Sequence, residues 1–130
     1  MVKRIFIMPL VLGLMLAALA GCQRDDVASA AYKALRTSDA TYQATLEAVR
    51  DAREQGLISP AAVEDVRRIA LVYHGSWELA AHALAAYQTA LETGEPAEPL
   101  RRELGQALAA MAGRLTELQT AAGRILEGTK

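Results

Sequence analysis

Residues 59–94 read SPAAVEDVRRIALVYHGSWELAAHALAAYQTALETG, and this stretch decides the fold. Val63, Val66, Ala70, Tyr73, Trp77, Ala80, Leu84, Tyr87 and Leu91 recur within it at steps of three and four. A strand would alternate at every second residue, so the spacing predicts an amphipathic helix. Its beginning is marked by chemistry as well as by period. Ser59 carries an oxygen able to cap, and Pro60 suits the first helical position, where a backbone N–H has no intrahelical partner. Ile58 and Val63 fall at the N′ and N4 positions of a hydrophobic staple. Glu64 and Asp65 are expected to complement the positive end of the helix dipole. Thr93-Gly94 and the following Glu95-Pro96-Ala97-Glu98-Pro99 end the helix. Ile69, Leu71, Val72 and Leu79 widen the apolar face, as expected of a helix packed on two neighbours.

The same spacing appears on both sides. Upstream, Ala28, Ala31, Leu35, Ser38, Tyr42, Thr45, Val49 and Ala52 form a weaker stripe with small and hydroxylated members, closed by Gly56 at a good C′ position. Downstream, Leu100, Leu104, Leu108, Met111, Leu115, Leu118, Ala122 and Ile125 make a third. The expected helices cover about 27–55, 60–93 and 97–127, each roughly 45 Å long at 1.5 Å per residue. Short connections make neighbours antiparallel, so the expected fold is all-α, an up-down-up three-helix bundle. With an odd number of helices, the C-terminal end lies opposite the N-terminal end.

The N-terminus reads differently. Lys3 and Arg4 precede an almost wholly apolar run from Ile5 to Ala20, interrupted by Pro9 and Gly13. The run is shorter than the roughly 20 residues a membrane-spanning helix needs and fits the apolar part of a signal peptide. It ends in Leu19-Ala20-Gly21-Cys22, which resembles the lipobox of bacterial lipoproteins. The resemblance covers the first 22 residues and implies a cleaved signal peptide (1–21), a lipidated N-terminus with a short tether (22–26) and the bundle (27–130). It implies that Leu19, Ala20 and Gly21 meet the lipoprotein signal peptidase. Cys22 would carry diacylglycerol on its thiol and an acyl group on its new amino terminus. That covalent lipid is the expected link to the bilayer, and no other cofactor is expected. Each buried methylene contributes about 0.8 kcal/mol, so several chains hold where one does not. In enterobacterial members an aspartate after the cysteine favours the inner membrane. Gln23 stands there, which implies an outer-membrane address facing the periplasm.

Charge and composition narrow the remainder. The 14 Lys and Arg residues less Lys3 and Arg4 leave twelve against 15 acidic residues, a formal −3 for the part after the leader. A mildly acidic surface gives no footprint for nucleic acid and no polybasic attraction to anionic lipid. Cys22 is the single cysteine, which excludes an intramolecular disulfide framework.

Within the bundle, His74, Glu78 and His82 stand four residues apart on the second helix, the one cluster of ligand-like types. A straight helix cannot wrap all three around one ion, so a solvated polar face is the expectation and no metal is assigned. Tyr73, Trp77 and Tyr87 form an aromatic row on the core seam, expected as core. An apolar groove beside Trp77 is the other reading, since Ala31, Ser38 and Thr45 leave that seam lightly filled. A loose seam is also what a second copy or a partner helix would cover. Lys130 is terminal, and one helical lipidated envelope protein is joined to peptidoglycan through such a lysine. Glu127-Gly128-Thr129 does not match that protein's pattern, so the likeness is one residue. Asp25-Asp26 and Glu64-Asp65 are explained by helix starts, and no nucleophile, phosphate-loop or zinc-protease motif occurs.

The chain therefore reads as a non-enzymatic, membrane-anchored helical lipoprotein that binds a protein or itself. The alternative is a module for a small apolar molecule or a metal at Trp77 or His74/His82. A phage-derived or self-protection lipoprotein is a third reading.

Overall fold

The computed structural model describes residues 24–128, which form α1 (Arg24–Glu54), α2 (Pro60–Thr93) and α3 (Glu98–Glu127). There is no strand among the described residues. The helices contain 31, 34 and 30 residues. Each packs on the other two, α2 and α3 most extensively. The turns at 55–59 and 94–97 reverse the chain, so α1 and α3 run the same way. The expected three-helix bundle is what forms. One boundary differs with consequence: the chain is already helical at Arg24, so residues 24–26, expected as tether, belong to α1. No glycine or proline lies between Gly21 and Gly56 to stop the helix from extending that far.

Both turns follow from local chemistry. Gly56 has φ +71°, the left-handed region that a Cβ disfavours, and Gly94 has φ +74°. Leu57 N–H then reaches back to the carbonyl of Ala52 at 2.9 Å, and Glu95 N–H to that of Ala90 at 3.1 Å. Carbonyls left free by the helix ends are satisfied in this way. Ser59 is extended (φ −77°, ψ 156°), and its hydroxyl oxygen accepts from Ala62 N–H at 3.2 Å. Glu64 and Asp65 do not sit where expected. They lie beyond the first turn of α2, where the dipole has faded, and pair instead with Arg67 at 3.7 Å and with Arg68. The start of α3 has no side-chain cap. Pro99 there needs no partner for a missing N–H, and Arg101 N–H bonds to the Ala97 carbonyl at 2.8 Å.

The core seam of α2 is buried at Val66, Ala70, Tyr73, Ala80, Leu84 and Tyr87. From α3 it receives Leu104, Leu108, Met111, Leu115 and Leu118. The large buried side chains of α1 are only Val27, Leu35 and Val49; Ala31, Ala34, Ser38 and Ala52 fill the rest. Burying a Val, Leu or Met contributes about 1.5–3 kcal/mol, so the α2–α3 pair holds more of the stability than α1 does.

The wide apolar face expected of α2 is only partly covered. Ile69 leans on the core, but Leu71 is 65% exposed, Val72 is half-exposed and Leu79 is 68% exposed. Two neighbours cover the seam and its flanks, and these three residues lie on the side turned away from both.

Candidate functional site

Cys22, with Leu19, Ala20, Gly21 and Gln23, lies outside the described residues, as does Lys130. Among the described residues, no helix is long and apolar enough to cross a membrane.

The His74/Glu78/His82 row resolves into a pair and a bystander. His74 Nε2 and Glu78 Oε1 are 3.1 Å apart on an exposed face, one helical turn from each other. His82 is exposed one turn further on. Among the described residues, no group of three or more His, Cys, Asp or Glu side chains is placed to hold a metal. The His74 ring instead lies nearly parallel to the Tyr42 ring of α1, with centroids 6.5 Å apart.

Tyr42 also stacks on Tyr73, at 4.9 Å between centroids and 29° between planes. It carries the aromatic row across from α2 to α1. Tyr73 and Tyr87 are fully buried, so the row is core as expected. Trp77 is half-buried, and its indole N–H donates to the Leu35 carbonyl at 3.0 Å. Tyr73 differs in one respect: its hydroxyl is buried and makes no hydrogen bond of regular geometry, with the Ser38 hydroxyl nearby. Burial raises its pKa well above the ordinary tyrosine value, the Asp39 charge adds to the rise, and the Ser38 hydroxyl partly offsets it.

Ala31 and Ser38, expected to leave the seam lightly filled, are buried. The opening lies further along. A groove of about 1100 Å³ runs between the second half of α1, from Tyr42 to Glu54, and the first third of α2, from Pro60 to Leu71. Leu46, Val49, Val63, Val66 and Ala70 are its apolar lining. Its rim carries Glu47, Arg50 and Glu54 from α1 and Glu64 and Arg67 from α2. Arg50 pairs along its own helix with Glu47 (3.9 Å) and Glu54 (4.0 Å), and Arg67 with Glu64 (3.7 Å); Arg53 stands on the same rim. Leu71 belongs both to this lining and to the exposed face with Val72 and Leu79. Val72 and Leu79 lie outside the groove, separated from Leu71 around the helix by positions that include Arg68 and Gly75.

Sequence reasoning anticipated a loose seam on α1 but placed it at Ala31, Ser38 and Thr45. Thr45 does lie in the stretch of α1 that borders the opening, and the further signal was its neighbour Thr41, one turn earlier on the same face. The hydroxyls of Thr41 and Thr45 bond back to the carbonyls of Thr37 (2.9 Å) and Thr41 (2.8 Å), so they fill little of the interface.

Comparison of the chain with protein-family models, curated proteins and solved structures returns no match.

Proposed function

We propose that this chain is a non-enzymatic envelope lipoprotein, anchored by lipid on Cys22 and facing the periplasm from the outer membrane, that binds another protein along its helices. The anchor rests on Leu19-Ala20-Gly21-Cys22 after a basic and then apolar leader, and the outer-membrane address on Gln23. The observation that carries the binding role is the groove between α1 and α2, whose apolar lining of Leu46, Val49, Val63, Val66 and Ala70 reaches exposed Leu71. An apolar patch of this kind on a soluble face marks an interaction surface more often than a catalytic one. The groove is an open channel between two helices, which suits an extended surface better than an enclosed small molecule. The alternative, a module for a small apolar molecule or a metal at Trp77 or His74/His82, draws no support from this groove, which those residues do not line.

Two experiments test the two halves of the reading. Replacing Cys22 by Ser should abolish incorporation of labelled fatty acid and release the protein from the membrane fraction; retention of the label would refute the anchor. For the binding role, a photo-crosslinker at Leu46 or at Leu71 in living cells should give an adduct of the same size from both positions. The adduct should disappear when Leu46→Glu is combined with the crosslinker at Leu71. A crosslinker at Glu103 or Gln106, exposed on α3, should not give it. Absence of any adduct from the groove positions overturns the binding role and leaves the anchor untouched.

A further inference from the structure

We propose that α1 is a strap that opens from the α2–α3 pair as a unit of its own, turning about Gly56. The inference rests on packing and is independent of what the groove binds.

The seating of α1 is interrupted. Val27, Ala31, Ala34, Leu35 and Ser38 are buried, and the next buried residue is Val49. None of residues 39–48 is buried; Thr41, Tyr42, Thr45 and Leu46 reach only halfway in. By contrast, α3 buries a side chain at every turn between Leu104 and Ala122. An element with few buried apolar contacts opens at lower free energy than the whole fold does. The groove marks the same stretch from the other side, because α1 stands off from α2 where its side chains fail to fill the space.

Polar groups at this interface favour the open state. The Tyr73 hydroxyl is buried without a hydrogen bond of regular geometry, and a buried polar group left poorly paired carries a desolvation cost that water removes. Opening α1 hydrates that hydroxyl. Ser38, also buried, is hydrated in the same step. Resistance comes from the Leu35–Trp77 hydrogen bond and from the Tyr42–Tyr73 stack. At the hinge, Gly56 takes the left-handed conformation in an exposed turn, and a Cβ built on it would meet nothing within 4 Å. The turn is uncrowded at Gly56, and a change of its backbone angles costs the Leu57 N–H bond to the Ala52 carbonyl. Opening uncovers Val66, Ala70 and Tyr73 on α2 and widens the groove.

Hydrogen exchange on the protein extracted in mild detergent tests this. Amides in residues 31–46 should exchange at least ten-fold faster than those in residues 70–87 and 104–118, with a weaker dependence on added urea. Two variants should slow exchange in α1 selectively: Thr45→Leu, which adds apolar volume at the gap, and Tyr73→Phe, which removes the poorly paired hydroxyl. Equal protection of all three helices with the same urea dependence overturns the proposal. So does fast exchange confined to the ends of α1 while residues 31–46 match α2.

Discussion

The indole N–H of Trp77 donates to the backbone carbonyl oxygen of Leu35, 3.0 Å away and 42 residues earlier in the chain. This contact joins the middle of α2 to the first half of α1, above the stretch where the two helices part. Replacing Trp77 by Phe keeps an aromatic ring there and loses the donor. The expected cost is about 1 kcal/mol, the usual net value of such a bond, read as a lower urea midpoint by circular dichroism. An unchanged midpoint would mean that water replaces the bond at no loss. Trp77 is also the single tryptophan, so its fluorescence in the parent protein follows the α1–α2 contact directly.

Tyr73 gives a prediction of opposite sign. Its hydroxyl is buried without a hydrogen bond of regular geometry, so Tyr73→Phe should leave stability unchanged or raise it by up to about 1 kcal/mol, measured by the same denaturation. A clear loss of stability would show that the hydroxyl is bonded in solution.

The same group sets a pH dependence. Burial raises the Tyr73 pKa in the folded chain above its ordinary value of 10.0. The folded state then holds the phenolic proton after the unfolded state has released it, so stability is lost as pH rises above about 10 and is unaffected by this group below that. Unfolding midpoints collected up the alkaline limb should fall more steeply for the parent than for Tyr73→Phe. Parallel limbs would assign the alkaline loss to other groups.

At the turns, Ser59→Ala removes the oxygen that accepts from Ala62 N–H and should cost about 1 kcal/mol. Gly94→Ala should cost a similar amount, roughly 1 kcal/mol, because the residue must keep a positive φ that a Cβ disfavours. Thermal midpoints of both single variants check this. A Gly94→Asn variant should recover part of the loss, since asparagine tolerates the left-handed region.

Burial separates two leucines of α2 and α3 that look alike in sequence. Leu118 is fully buried, and Leu118→Ala should cost about 2–5 kcal/mol by leaving a cavity. Leu79 is 68% exposed, and Leu79→Gln should stay within about 0.5 kcal/mol of the parent. Equal effects would mean that Leu79 is covered in solution.

The seam of α2, the cap at Ser59 and the stops at Gly56 and Gly94 were all legible in the linear chain. A helical period, an oxygen before a proline and a glycine after the last apolar residue each act within a few residues. The aromatic row was legible as core for the same reason. The site was less so. His74 and Glu78 were readable as neighbours because one turn of helix separates them, whereas the stacking of Tyr42 on Tyr73 joins residues on different helices. Glu64 and Asp65 were misassigned to the dipole because the nearer arginines, Arg67 and Arg68, compete for them.

Periodicity and turn chemistry thus determined by themselves that the chain from about residue 27 onward makes three helices in a bundle. The lipobox motif, a purely local signal, carries the expectation of an anchor at Cys22. What only the tertiary structure decided is which apolar residues find a neighbour. Leu71, Val72 and Leu79 carry the same hydrophobicity as the leucines of α3, yet they stay exposed because α1 and α3 both pack on the other side of α2. Likewise Leu46 and Val63 came to line a groove because α1 stands off from α2 there. Period fixes the direction in which a side chain leaves its own helix; the distance to the next helix is set by every contact along both.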